Sequence, residues 1–153
     1  IPAGGDLPDI KLNPKFEQKI NFLSEIKNKF FKGKKKKTIL VGDFNIAPLP
    51  DDVWSHKALL NVVSHTKIET DLLSEIKKSG DWVDTFREMK PSGKLYSWWS
   101  YRARDWKISN RGRRLDHIWV SQDLKSKLSK VQIFSEARDW ERPSDHVPIL
   151  SIF

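Results

Sequence analysis

A chain of 153 residues, 38% of them hydrophobic, can bury the core of one domain but not of two. It holds no run of the roughly 18 apolar residues that a membrane-spanning helix needs, and it has no cysteine, so disulfides are excluded and a cytoplasmic location is the default expectation. The net charge of +8 and a pI of about 9.7 point to a polyanionic partner, nucleic acid before membrane, because no basic amphipathic anchor is evident.

Residues 1–13, with Pro2, Gly4, Gly5 and Pro8, read as an irregular loop. Phe16, Ile20, Leu23 and Phe30 then recur at near-helical spacing, flanked by Ile26 and Phe31. Asn13-Pro14 supplies a helix start, so a helix is expected from Pro14 to about Phe31, ending at Gly33. Lys34-Lys35-Lys36-Lys37 reads as a solvated turn that also adds long-range attraction for DNA. Ile39-Leu40-Val41 reads as a buried strand, and Ala47-Pro48-Leu49-Pro50-Asp51-Asp52 as a loop, with Asp51 and Asp52 as loop carboxylates. A second amphipathic helix is predicted over 67–79, burying Leu72, Leu73 and Ile76. Thr66 and Glu69 have capping-box spacing, and Gly80 ends the helix. Strands follow at 96–101, 114–120, 131–135 and 147–152, with Pro148 near a strand start or edge. No repeat or linker interrupts 1–153, so one unit without an internal boundary is expected.

The most informative segment is Gly42-Asp43-Phe44-Asn45, directly after the first strand. Gly, Asp and Asn are also ordinary turn formers. On an extended backbone, however, Asp43 and Asn45 project to the same side, where a carboxylate and an amide can position a phosphate, a metal ion and a water. Two later segments have the same character. Arg111 to His117 leads into Ile118-Trp119-Val120, and Arg142-Pro143-Ser144-Asp145-His146 precedes the apolar run from Val147. In layered α/β folds such strand termini converge on one rim, where ligands bind.

Seven tryptophans are many for this length. Trp54 and Trp82 are expected in the core. Trp98, Trp99, Tyr101, Arg102, Arg104 and Trp106 interleave aromatic and cationic groups that can stack on bases and grip phosphates, a stretch read as part core and part groove.

Gly42-Asp43-Phe44-Asn45, Ser97-Trp98-Trp99-Ser100-Tyr101-Arg102, Asn110-Arg111-Gly112, Arg114-Leu115-Asp116-His117 and Ser144-Asp145-His146, taken in order, resemble the exodeoxyribonuclease III and AP endonuclease family of the endonuclease/exonuclease/phosphatase superfamily. Asp52 to Lys57 and Val83 to Arg87 resemble its bacterial branch. The resemblance implies an α/β fold, here the second half of a four-layer sandwich with mixed β-sheet and flanking helices. It also implies a chain matching only the C-terminal half of the family protein. Ile1-Pro2-Ala3-Gly4-Gly5 aligns just after the family's active-site tyrosine, so that tyrosine, a first-half asparagine and the metal-binding glutamate have no counterpart here.

By this similarity, Asp43, Asn45, Asp116 and His146 are the candidate catalytic residues. Asp43 would activate or orient water, Asn45 would bind the scissile phosphate, and His146 would stabilise the phosphorane with Asp116 orienting its ring. An adjacent carboxylate favours the imidazolium form on physical grounds alone. Asp43, Asn45 and Asp145 are the candidate metal contacts, and oxygen donors without cysteine favour Mg²⁺ or Mn²⁺. Trp98, Trp99, Tyr101, Arg102, Asn110, Arg111 and Arg113 are the candidate DNA contacts, while His56, His65 and His117 read as structural. The implied activity is cleavage of duplex DNA at abasic sites and 3′ ends, by a monomeric parent with no membrane partner. Two alternatives stay open: a non-catalytic basic DNA-binding fragment, and a phosphatase of the superfamily acting on lipid or inositol phosphates. Without the family's first half, an apolar sheet face and a strand edge would stand exposed, so self-association is expected.

Overall fold

The computed structural model describes residues 1–29 and 36–153. In chain order the elements are helix α1 (Pro14–Lys29), strand β1 (Ile39–Asp43), α2 (His56–Leu59), α3 (Lys67–Ser79), β2 (Trp82–Asp84), α4 (Thr85–Met89), β3 (Trp98–Trp99), α5 (Trp106–Ser109), β4 (Gly112–Arg113), β5 (Asp116–Ser121), α6 (Gln122–Lys125), β6 (Lys130–Ile133) and β7 (Ile149–Ile152). The expected helix stop at Gly33 and the start of the lysine run lie outside the described residues.

Local chemistry sets the two long helices. Pro14 opens α1, and the Asn13 Oδ1 accepts the Lys15 amide at 3.1 Å. In α3, Thr66 and Glu69 form the reciprocal capping box, and Gly80 closes the C-terminus with its N–H on the Ile76 carbonyl. Phe16, Ile20 and Leu23 of α1 meet Leu73 and Ile76 of α3 over Trp82 and Trp119. Leu72 is only partly buried.

The central sheet has the order β1-β5-β2, with β5 antiparallel to both neighbours. Alternation along β5 sends Trp119 to the α1/α3 side and Ile118 to the other. There Ile118 packs with Phe86 of α4, Val131 and Ile149. The antiparallel pairs β3–β4 and β6–β7 complete the layers. The layered α/β class is the one expected, and every ladder among the described residues is antiparallel. On β1, Leu40 joins the helix-side core, whereas Ile39 and Val41 on the opposite face are 51% and 61% exposed.

Asp52, expected as an ordinary loop carboxylate, is part of the buried interior. It is fully buried and accepts from Arg87 and from Arg114, whose Nε lies 2.7 Å away. Arg114, also buried, spans to Asp84 with Nη2 at 2.8 Å, so one guanidinium ties β2 and the 50–52 turn to the residue just before Leu115 and β5. Both carboxylates are held below their ordinary values: the arginines beside them outweigh the opposing effect of burial. His117 is buried against this cluster, its Nε2 donating to the Ile46 carbonyl (2.9 Å) and its ring stacked on Phe44. Burial and Arg114 together push its pKa down to about 4, so it is neutral and structural.

Candidate active site

The β1–β5 register pairs Asp43 with Asp116 directly, which sets two carboxylates at one end of the sheet. The third group arrives by a separate path. His146 bridges Trp98 in an antiparallel contact, held by hydrogen bonds from the Trp99 amide to the Asp145 carbonyl and from the Val147 amide to the Ser97 carbonyl. One donor atom from each of Asp43, Asp116 and His146 lies within 4.8 Å of the others.

His146 Nδ1 is 2.8 Å from Asp116 Oδ2, and its Nε2 is 3.9 Å from Asp43 Oδ2. The hydrogen bond to Asp116 is the main cause of a raised imidazole pKa, opposed by burial and reinforced by the nearby charge of Asp43. Ser97 fixes Asp116 in turn. Its hydroxyl donates to Asp116 Oδ2 at 2.6 Å and accepts the amides of Leu115 and Asp116, both at 3.0 Å. Burial pushes the Asp43 carboxyl up, and Asp116 adds to the effect, while the hydrogen bond from the Asn45 amide opposes it.

Asp43 and Asn45 do face the same place, but not through an extended backbone. Asn45 has φ of +52°, in the left-handed region that Asn tolerates. The turn lets Asp43 Oδ1 accept the Asn45 amide at 2.7 Å and Oδ2 accept Asn45 Nδ2 at 2.8 Å. From behind, Lys19 Nζ donates to the Asn45 carbonyl at 2.8 Å. Lys19 is fully buried and paired with Glu69 at 2.6 Å, and desolvation lowers its pKa against the pull of that carboxylate.

These groups open onto a cleft of about 760 Å³ whose lining includes Asn45, Trp54, Trp98, Arg102, Arg111, Arg113 and Asp145. Two guanidinium groups lie over indole rings in its wall: Arg113 is 5.2 Å from the centroid of Trp98, and Arg111 is 4.8 Å from that of Trp54. Arg113 also donates to Ser64 Oγ at 2.8 Å. Trp54 packs half-buried against the core cluster of Ala47, Val53, Leu59 and Leu115, as expected, and also lines the cleft, a second role that only its spatial meeting with Arg111 reveals. Trp82 is in the core.

Trp99 does not line this cleft. Neighbours on a strand face opposite ways, so Trp98 turns to the cleft and Trp99 is buried with Ala137 and Val147. The Trp99 Nε1 donates to Asn110 Oδ1 at 3.1 Å, and Asn110, which caps α5 through its backbone N–H on the Trp106 carbonyl, does not line the cleft. Tyr101 is exposed, donates to the Pro143 carbonyl at 2.8 Å, and lies under Arg138, outside the cleft lining. Asp145 lines the cleft with one oxygen occupied by Trp98 Nε1 at 2.9 Å, and the clustered donors comprise Asp116 rather than Asp145. His56 and His65 pair with each other at 2.8 Å, with His65 on the Ala47 carbonyl. Two carboxylates and an imidazole at this spacing can hold a metal ion.

Comparison with known proteins gives a consistent result. An exodeoxyribonuclease of Bacillus subtilis is 36% identical over 118 residues, covering 75% of this chain and 44% of that protein. Exodeoxyribonuclease III of Haemophilus influenzae is 30% identical over 151 residues, covering 91% and 55%. The chain thus spans about half the length of the curated relatives it matches. The structure of an AP endonuclease from Archaeoglobus fulgidus superposes with a TM-score of 0.90 at 26% identity, over 100% of this chain and 58% of that one. Residues 23–146, which include every member of the Asp43, Asp116 and His146 cluster, match the Endonuclease/Exonuclease/phosphatase family, and the chain belongs to that family.

Proposed function

We propose that this chain carries the catalytic constellation of a DNA-repair phosphodiesterase that cuts duplex DNA at abasic sites and trims 3′ ends with Mg²⁺ or Mn²⁺. The observation that carries the reading is the convergence of Asp43, Asn45, Asp116 and His146 at one sheet end beside a cleft walled by stacked Arg–Trp pairs.

Each residue has a separate task. Asp43 orients the attacking water and accepts its proton. Asn45 donates through Nδ2 to a phosphoryl oxygen of the scissile group, exchanging for it the hydrogen bond that it makes to the Ile1 carbonyl at 2.9 Å. His146, whose cationic form is favoured by its hydrogen bond to Asp116, supports the negative charge that grows on phosphorus-bound oxygen in the in-line transition state. Asp43, with Asn45 and Asp145 close by, is where a divalent cation would sit, and its partly desolvated carboxylate suits that charge. When bound, such an ion supplies charge relief to the phosphoryl oxygens. Arg111 and Arg113 hold the DNA backbone, and Trp98 and Trp54 offer flat faces to the sugar. An abasic nucleotide has no base to unstack, so its entry is cheap. The same wall disfavours a lipid or inositol phosphate, which has no use for two arginine-stacked indoles.

A binding-only role has one observation in its favour: the chain spans 44% and 55% of the two nuclease relatives. The deciding experiment measures Mg²⁺-dependent cleavage of a duplex with one abasic site. It compares the chain alone with the chain complemented by the part of a relative that it does not cover. Cleavage in either arm supports the enzyme, whereas DNA binding without cleavage in both supports the binding module.

A further inference from the structure

Lys19 and Glu69 are both fully buried, and their side chains meet at 2.6 Å. A buried ion pair is a poor device for stability alone, because desolvating two charges offsets most of their attraction. This pair touches the site on two sides. Lys19 Nζ completes its three donations with the carbonyls of Asn45 (2.8 Å) and Ala3 (3.2 Å). Glu69 accepts the Ser64 amide on both oxygens, at 3.0 and 2.9 Å. Ser64, itself at φ +86°, offers its hydroxyl to Arg113 at 2.8 Å. One carboxylate thereby connects the amide side of the cleft, through Lys19, to its guanidinium side, through Ser64.

We propose that Lys19 and Glu69 are positioning residues for the reaction, fixing the left-handed turn of Asn45 and, through Ser64, the guanidinium of Arg113. The inference rests on the active-site reading above, but its geometric content stands apart from activity. Asn45 turns its side chain toward Asp43 only while its backbone keeps the φ of +52°, and its carbonyl is held by the Lys19 ammonium rather than by a strand neighbour. Misplacing a phosphate-binding amide by about 1 Å is worth on the order of a hundredfold in rate.

Lys19→Met alone strands a buried carboxylate and is expected to lower the melting temperature, so it cannot separate the roles. The double variant Lys19→Met/Glu69→Gln removes both charges while keeping an acceptor for Ser64 and Thr66. It is expected to recover stability relative to Lys19→Met. The Asn45 backbone and side-chain amide resonances nevertheless stay displaced from wild type, and in the complemented enzyme kcat stays down roughly 10- to 100-fold with KM nearly unchanged. A folded double variant with native Asn45 resonances overturns the proposal and leaves the pair structural. The unmodified chain supplies an independent arm. A through-hydrogen-bond coupling between Lys19 Nζ and the Asn45 carbonyl carbon is expected, and its absence overturns the proposal even if the double variant does not fold. If wild type cleaves nothing, the resonance and coupling measurements still decide the positioning role, while the enzymatic reading fails separately.

Discussion

His146 and Asp116 share a 2.8 Å contact although 30 residues separate them in the chain, and the Ser97 hydroxyl holds the carboxylate from its other side at 2.6 Å. Through this contact the imidazole gains more as a cation than burial takes away, so its pKa lies above 6.5. Asp116→Asn is therefore expected to return the imidazole toward its ordinary value in an NMR titration and to cut the cleavage rate about a hundredfold. Because the folded value is the higher one, the stabilisation is complete below about pH 6.5 and is lost as pH rises through the folded pKa. His146→Gln should remove that portion of the stability–pH curve. An unchanged curve would show that the contact is not an ion pair in solution.

Arg114 predicts the opposite pH behaviour. Asp52 and Asp84 are depressed in the folded chain, so their contribution is present above about 3.8 and is lost as pH falls through their folded values. Arg114→Met leaves two buried carboxylates short of a partner and should cost about 3–5 kcal/mol in urea denaturation at neutral pH. Arg114→Lys should recover little of this, since an ammonium cannot span both carboxylates as the planar fork does.

The way Asp43 is held leads to a metal test. Its carboxyl is raised by burial and by Asp116, so a cation beside it relieves a cost that the free chain carries. Millimolar Mg²⁺ should raise the melting temperature of the wild type by mass action, and Asp43→Asn should abolish the rise. The effect should also fade as pH falls through the Asp43 pKa, because the protonated acid no longer attracts the ion.

Trp98 and Trp99 are adjacent and should fail differently. Trp99→Ala empties a core position and should cost about 3–5 kcal/mol, with little direct effect on DNA affinity at temperatures where the variant is folded. Trp98→Ala, at a half-buried position packed against Val53, Leu59 and Leu115, should cost less stability than Trp99→Ala, yet weaken DNA binding by on the order of tenfold. Arg113→Ala should flatten the dependence of affinity on salt by about one counterion.

The contrast between those two tryptophans marks how far a sequence can be read. Strand alternation is local and can separate the two indoles, yet both read as DNA contacts from the sequence because nothing there says which face of the strand is covered. The capping box of α3 was legible because both partners sit within one turn. Asp52 and Glu69 were not. A loop carboxylate and a helix-capping carboxylate look ordinary until Arg114 and Lys19 arrive from 62 and 50 residues away (114 − 52 and 69 − 19). The Asp43-Phe44-Asn45 motif was legible as chemistry, while its left-handed turn was not, because the contact that holds it comes from α1.

Exposure on β1 gives a last prediction. Ile39 and Val41 leave an apolar stripe on a strand whose one ladder neighbour among the described residues is β5. Sedimentation of the isolated chain should show concentration-dependent association, and Val41→Lys should suppress it. A dilution-independent monomer would count against this.

That strand ends in Asp43. The backbone amides that any chain extending the sheet would engage are the ones whose path aims the carboxylate. An edge partner there would therefore act on the backbone that aims this carboxylate, so the pairing of β1 and the orientation of Asp43 belong to one five-residue segment.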